Sequence, residues 1–221
     1  MNRIDYDYMQ LKTMIANMCY IVSSMLEDTS KAIMEQNEDL AANVMARDKE
    51  VDKLDLQIDN YCLKLLAIYA PKAAELRYVV AALRIVIDIE RIGDHCRYIS
   101  KQISKHHFIP VIQYTEDFTS LLSQTNQMLQ DSFTSIFEQN VDKAAAVIAN
   151  DKVIDKLHNR ISRNIVAAYV DDISKARLLF SFRNIVRRYE RIADHAKNIA
   201  EAVPYIVNGR TIRHHDINTS E

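Results

Sequence analysis

Residues 35–54 read EQNEDLAANVMARDKEVDKL, and residues 138–157 read EQNVDKAAAVIANDKVIDKL. The two stretches are identical at 13 of 20 positions, whereas unrelated stretches of average composition agree at roughly one position in twenty. A second match pairs IERIGDHCRYI at 89–99 with YERIADHAKNI at 189–199, where 6 of 11 positions are identical. Because the shared residues include polar ones at fixed places, the sequence indicates a tandem duplication.

The composition of the 221-residue chain restricts the fold to helices. Two glycines and three prolines are too few for the turns of a strand-rich fold or for glycine-rich phosphate loops. Apolar residues recur instead at steps of three and four, as in the row Ile85, Ile89, Ile92, Cys96, Ile99 and Ile103. We therefore predict an all-α protein with six long helices, arranged as two tandem antiparallel three-helix bundles.

Turn signals place the helices within each repeat. Asn37 and Asn140 are expected to cap the second helix of their repeats, and Pro71 to lie beside the start of a third. The first helix is expected at about 4–35, and the last three at about 114–138, 141–170 and 174–203. The apolar face predicted for the second helix consists of Val44, Val51, Leu54, Ile58, Tyr61, Leu65 and Ile68. The predicted domains are a first repeat at 1–109, a second at 110–208 and a flexible tail at 209–221.

Charge and cysteine content exclude several classes of function. A net charge of -2 and a pI near 6.4 give no basic field for nucleic acid. Cys19, Cys62 and Cys96 contain no CxxC pair, so we expect reduced thiols that fill the core. The N-terminus carries acids where a signal peptide would be apolar, and the most apolar stretch, 79–89, is too short to span a bilayer. We expect a cytoplasmic protein, peripheral to a membrane at most.

Acidic residues occur as pairs four positions apart, so that each pair points to one side of its helix. Asp52 and Glu90 lie 19 residues before and after Pro71, and Asp48 and Asp94 lie 23 residues before and after it. In an antiparallel hairpin these four carboxylates reach the same height, and the second repeat has the same symmetry about its own turn. We therefore predict a first acidic patch of Asp48, Asp52, Glu90 and Asp94, and a second acidic patch of Asp151, Asp155, Glu190 and Asp194.

Two interpretations of the acidic patches follow from their charge, since close carboxylates repel one another unless cations neutralise them. The first is a metal site: oxygen ligands suit a divalent or ferric ion, with Fe, Mn, Mg, Ca or Zn as candidates. The second is a network of internal salt bridges with basic residues that also recur in both repeats: Lys49, Arg77, Arg91, Lys152, Arg177 and Arg191. His95 and His195 lie off the acidic face, so we interpret them, with Arg91 and Arg191, as groups that would contact the ligands or pack nearby.

The second repeat also carries basic residues that the first lacks. Arg183, Arg187 and Arg188 stand where the first repeat has Leu83, Ile87 and Asp88. Such a cluster can bind an anion or an acidic partner, or form a solvated face. The sequence shows no arrangement of nucleophile and base, so we do not predict an enzyme.

The segments PKAAELRYVVAALRIVIDIERIGDH and RYERIADHAKNIAEAV resemble the PhoU family of bacterial and archaeal phosphate-regulatory proteins. The resemblance implies a cytoplasmic regulator, homodimeric, which acts with the phosphate ABC transporter ATPase and a sensor histidine kinase to limit phosphate uptake and repress starvation genes. The family's E(D)xxxD motifs bind metal, and they match the eight acids of the two patches. The chain departs from the pattern at Ala193, the counterpart of Gly93, and in lacking a proline turn in its second repeat.

Other functions remain open from the sequence. The same fold would suit an accessory protein of another phosphate or cation transporter, which the neighbouring genes would reveal. A metal-handling helical protein or metalloenzyme would use the eight acids as its functional centre. In a purely structural helical module, alanine at these acids would change nothing but the solubility.

Overall fold

A computed structural model describes residues 3–105, 116–171 and 176–209, and the side chains of these residues except those at 168–171. The six helices are α1 (Arg3–Glu35), α2 (Glu38–Tyr69), α3 (Ala73–Ile103), α4 (Glu116–Phe137), α5 (Val141–Asp171) and α6 (Ala176–Asn208). No strand occurs among the described residues. The all-α prediction is confirmed. The proposed tail at 209–221 lies outside the described residues except for its first residue. Residues 172–175, in the turn between α5 and α6, also lie outside them.

The repeated EQN tripeptide forms the same turn in both repeats. Gln36 and Gln139 each adopt φ 51°, and the backbone N–H of the following asparagine bonds to Ala32 in one turn and Ser135 in the other, both at 2.9 Å. This is a Schellman ending, which usually employs glycine in the left-handed position. The asparagine then caps the next helix, because the Asn37 side chain accepts from Leu40 N–H at 3.0 Å and Asn140 from Lys143 N–H at 2.9 Å. Both predicted caps are confirmed.

Two prolines mark the ends of long helices in different ways. Pro71 lies between α2 and α3, as predicted, and α2 ends on Ala70 in the left-handed region with φ 43°. Pro204 does not end α6, which continues to Asn208, so the expected end near residue 203 is wrong. Pro204 is buried within α6, so the helix continues past a residue that has no backbone N–H to donate.

The apolar rows pack as predicted, with one exception. The row from Ile85 to Ile103 is at most 3% exposed. On α2, however, Ile68 is 58% exposed, whereas Cys62 is fully buried. A row with steps of three and four drifts around a helix with 3.6 residues per turn, and by the last turn it has left the core face. Cys19, Cys62 and Cys96 are buried free thiols, which confirms their expected role as core residues.

The two bundles share one core. In addition to the contacts within each repeat, α3 packs along α6 and α1 contacts α4. Tyr189 of α6 is fully buried at this junction, and its hydroxyl lies 3.0 Å from Ser30 Oγ of α1. Asn126 of α4 donates to the same hydroxyl of Ser30 at 2.9 Å. Within the described ranges, none of the helices is long and apolar enough to cross a membrane.

Candidate functional site

An arginine bridges two acids of the first acidic patch across the hairpin of α2 and α3. Arg97 of α3 places Nε 2.6 Å from Asp48 on α2 and Nη2 2.6 Å from Asp94 on its own helix. One guanidinium therefore spans the α2–α3 hairpin at the predicted height. Gly93 allows the close approach of these helices, because a Cβ there would lie 3.3 Å from Val51 Cγ1.

The remaining acids of the first patch lie close enough to affect one another. Burial raises the pKa of Asp48 to about 6, and the neighbouring charges of Asp52 and Asp94 act in the same direction. Burial and the charge of Asp94 raise the pKa of Glu90 as well, while Arg91 opposes that shift. Arg91 lies 3.4 Å from both Glu90 and Asp94. The four predicted residues therefore converge on one side of the hairpin.

The second acidic patch repeats this arrangement with a lysine in place of Arg97. Lys197 Nζ lies 2.6 Å from Asp151, and Arg191 lies 3.8 Å from Glu190 and 3.5 Å from Asp194. Burial, followed by the charge of Asp194, raises the pKa of Glu190. Burial, followed by the charge of Asp151, raises the pKa of Asp194. Asp155 contributes to both shifts, so this patch also converges.

Basic side chains neutralise both patches in the arrangement described. Among the described residues, no group of three or more His, Cys, Asp or Glu side chains is placed so that it could hold a metal ion. The salt-bridge interpretation therefore accounts for the contacts with Arg91 and Arg191. Of the other predicted basic partners, Arg77 instead approaches the carbonyl of Ile206 at 3.3 Å.

The donor chemistry of the patches nevertheless fits a hard cation. Every acid in them offers carboxylate oxygens, which Mg, Mn, Ca and ferric iron prefer. The buried oxygen Oε2 of Glu190 has no hydrogen-bond partner, and its Arg191 neighbour stands off at 3.8 Å. Partly buried carboxylates with raised pKa values and an unsatisfied oxygen are groups that a bound cation would stabilise.

His95 and His195 lie away from the patches, where α3 meets α6. Their ring centroids are 5.5 Å apart. His95 Nδ1 lies 3.0 Å from Arg188 Nη1, and His195 Nδ1 lies 2.7 Å from Asp88 Oδ1. Both histidines therefore contact the opposite repeat, which matches packing rather than contact with the ligands of an acidic patch.

The contacts at this interface are reciprocal between the repeats. Position 88 faces residues 195 and 198, since Asp88 also accepts from Asn198 at 3.1 Å. Position 188 faces residues 95 and 98, since the Arg188 guanidinium carbon lies 4.3 Å from the centre of the Tyr98 ring. Residues 100 positions apart in the sequence therefore make equivalent contacts on the two sides of the interface, as in an isologous contact between two copies of one unit.

Arg97 and Lys197 were not among the predicted site residues. Each follows the last acid of its patch by three positions, a spacing that brings opposite charges together on a helix, and this signal was present in the sequence. The Asp88 and Arg188 contacts carried no such signal, because they depend on how the repeats dock against each other.

Comparison with known protein families gives two matches to one domain. The family model described as "PhoU domain" matches residues 15–103 and 118–203, once in each repeat. The chain belongs to the PhoU family. Its relatives include a PhoU homolog of Deinococcus radiodurans, 31% identical over 196 residues that cover 87% of this chain and 91% of that one. PhoU of Escherichia coli K12 is 30% identical over 208 residues, which cover 92% of this chain and 85% of that one.

Solved PhoU structures have the same fold. The crystal structure of PhoU from Pseudomonas aeruginosa superposes with a TM-score of 0.88 at 25% identity, covering 94% of this chain and all of that one. The phosphate transport system regulatory protein PhoU from Streptococcus pneumoniae superposes with a TM-score of 0.87 at 22% identity, covering 96% of this chain and all of that one. The paired PhoU repeats thus extend over α1 to α6.

Proposed function

We propose that this protein is a non-enzymatic accessory protein of a phosphate-specific transport system, which limits phosphate uptake and phosphate-starvation signalling. The observation that carries the proposal is the match over nearly the whole chain to relatives named "Phosphate-specific transport system accessory protein PhoU", 30% identical over 208 residues. The PhoU domain is matched once in each repeat.

The protein acts by contact in this proposal. Its partners are the ATPase of the phosphate ABC transporter and the phosphate-sensing histidine kinase, and it works in the cytoplasm as a homodimer without binding nucleic acid. The long helices support this role, because their exposed faces offer an extended surface on which a partner can dock. The arginine-rich face of α6 is absent from the first repeat, so the two halves offer different surfaces.

A metal ion at each acidic patch completes the proposed function. In the first patch Asp48, Asp52, Glu90 and Asp94 would hold it, and in the second Asp151, Asp155, Glu190 and Asp194. The ion would supply positive charge and fixed coordination, binding the two helices of each hairpin at a set distance. Arg97 and Lys197 would then leave the carboxylates that they neutralise here.

The proposal is tested in cells that lack a PhoU-family protein but contain the transporter and the kinase. Expression of this chain should reduce uptake of radiolabelled phosphate and lower the output of a phosphate-starvation reporter in phosphate-rich medium. The E90A/D94A and E190A/D194A variants should lose this repression, whereas Glu50→Ala, an exposed acid on α2 outside the patches, should retain it. Unchanged uptake and reporter output with the unsubstituted protein would contradict the proposal.

Direct contact is tested with purified components. The full chain should retain the transporter ATPase or the kinase on a column, and removal of metal by a chelator should weaken this retention. If retention is equal before and after chelation, the proposed accessory function stands, but the proposed role of the metal is contradicted.

A further inference from the structure

A cleft of about 480 Å³ lies where α3 meets α6, on the side of the second repeat. Its α6 wall consists of Asn184, Arg187, Arg188, Arg191 and His195, and α3 contributes His95 and Tyr98. These seven positions follow helical spacing, so their side chains turn toward one space. No carboxylate lines the cleft among the described residues.

The three arginines differ in how they are held. Arg188 is fixed between His95 Nδ1 at 3.0 Å and the face of Tyr98 at 4.3 Å. Arg191 stands 3.5–3.8 Å from its carboxylates, longer than the 2.7–2.9 Å typical of charge-assisted hydrogen bonds. Arg187 is exposed and forms no ion pair with any other described residue. Between them, these guanidiniums retain donors that face the cleft.

His95 adds a buried donor to this set. It is only 8% exposed, and a guanidinium can donate but not accept. Nδ1 must therefore accept the hydrogen bond from Arg188, which leaves the ring proton on Nε2.

We propose that this cleft binds a phosphoryl-bearing anion. A guanidinium matches phosphoryl oxygens with two parallel donors, and three of them converge here with an amide and an imidazole N–H. The volume lies within the range of about 300–1,000 Å³ found for small-molecule sites and exceeds what one tetrahedral phosphate fills. A ligand with linked phosphoryl groups, either an inorganic polyphosphate or a nucleotide, therefore fits better than orthophosphate.

The two repeats differ at the arginines of this cleft. In the first repeat Ile87 and Asp88 occupy the positions of Arg187 and Arg188. The corresponding surface of the first repeat therefore lacks both arginines and has a carboxylate at the second of these positions. The inference is independent of the proposed regulatory function, because it concerns binding by the purified chain without a transporter, a kinase or an added metal.

Calorimetric titration of the full chain tests the proposal, with orthophosphate, tripolyphosphate and ATP as separate ligands at constant ionic strength and without divalent cations. We expect one saturable site per chain, with tripolyphosphate or ATP binding more tightly than orthophosphate. Tighter binding of tripolyphosphate than of ATP would identify the ligand as an inorganic polyphosphate, and tighter binding of ATP would identify it as a nucleotide. Arg187→Gln should weaken binding about tenfold, the effect of losing one charged hydrogen bond. Arg187→Lys should recover part of the loss because it keeps the charge.

Arg183→Gln is the matched control. Arg183 lies one turn earlier on the same helix, is also exposed and lies outside the cleft. It should leave the dissociation constant within about twofold. Thermal midpoints of the ligand-free variants verify folding. Absence of binding by all three anions, equal losses in the Arg183 and Arg187 variants, or two equivalent sites per chain would each overturn the proposal.

Discussion

Asp88 and Arg188 occupy the same position in the two repeats and contact the same histidine position across the interface with opposite charge. Asp88 accepts from His195 at 2.7 Å, and Arg188 donates to His95 at 3.0 Å. Because a carboxylate only accepts and a guanidinium only donates, Nδ1 of His195 carries a proton and Nδ1 of His95 does not. At this interface His195 therefore donates to Asp88, whereas His95 accepts from Arg188.

Reversal of the charge at position 88 should destabilise the interface. Asp88→Arg removes the carboxylate that accepts from His195 and Asn198, and the free energy of unfolding should fall by about 1.5–3 kcal/mol, the range for hydrogen bonds to charged groups. The double variant D88R/R188D should recover part of this loss, because it exchanges the two contacts. Urea denaturation of both variants measures the effect, and a double variant less stable than either single one would contradict it.

A cation at an acidic patch should stabilise the fold. At 100 times its dissociation constant a ligand adds about 2.7 kcal/mol, which raises the thermal midpoint of a chain of this size by about 5–10 °C. Melts with Mn, Mg, Ca, Zn or ferric iron should show this rise for the unsubstituted protein. The E90A/D94A variant should lose the contribution of the first patch only, and E190A/D194A that of the second. If no ion raises the midpoint, the patches are salt-bridge networks alone.

Arg97 and Lys197 should compete with a metal for the same carboxylates. Arg97→Gln frees Asp48 and Asp94 from a cation that contacts both. We therefore expect a two- to fivefold tighter dissociation constant for the metal, about the contribution of a half-exposed salt bridge. Lys197→Gln should act likewise on the second patch. Lys49→Gln is the control, because this exposed lysine forms no ion pair with other described residues. Weaker metal binding by the Arg97 variant would show that the guanidinium supports the site instead.

The buried His95 should make the protein less stable in mild acid. Burial and the Arg188 charge lower its pKa from 6.5 to about 4, so protons bind the unfolded chain more readily than the native one. Its contribution is full above pH 6.5, decreases as pH falls toward 4 and is then constant. In His95→Asn, which keeps an acceptor for Arg188, the stability lost between pH 7 and pH 4 should be smaller. Urea midpoints at several pH values decide this, and parallel curves would contradict it.

The sequence predicted the fold in detail because the determinants of the fold are local. Asn37 and Asn140 cap helices through their own side chains, and the row from Ile85 to Ile103 buries one helical face. The position of the acidic patches also followed from counting residues on both sides of a turn. The predicted burial of Ile68 was wrong, because the spacing of apolar residues does not show where a helix extends beyond the core.

The predicted site omitted the residues that depend on docking. Arg97 could have been found from its spacing to Asp94, since both lie on α3. The contacts of Arg188 with His95 and Tyr98 join residues about 90 positions apart, and no local pattern reports which faces of two repeats meet. The anion cleft lies on that interface, so the sequence showed its arginines but not the space that they enclose.

The opposite charges at positions 88 and 188 make the two halves of the chain complementary rather than equivalent. A half that paired with a second copy of itself would bring two aspartates, or two arginines, against its histidines. Only a first half joined to a second half supplies one donor and one acceptor at the two contacts. Because both halves belong to one polypeptide, every molecule contains one aspartate contact and one arginine contact.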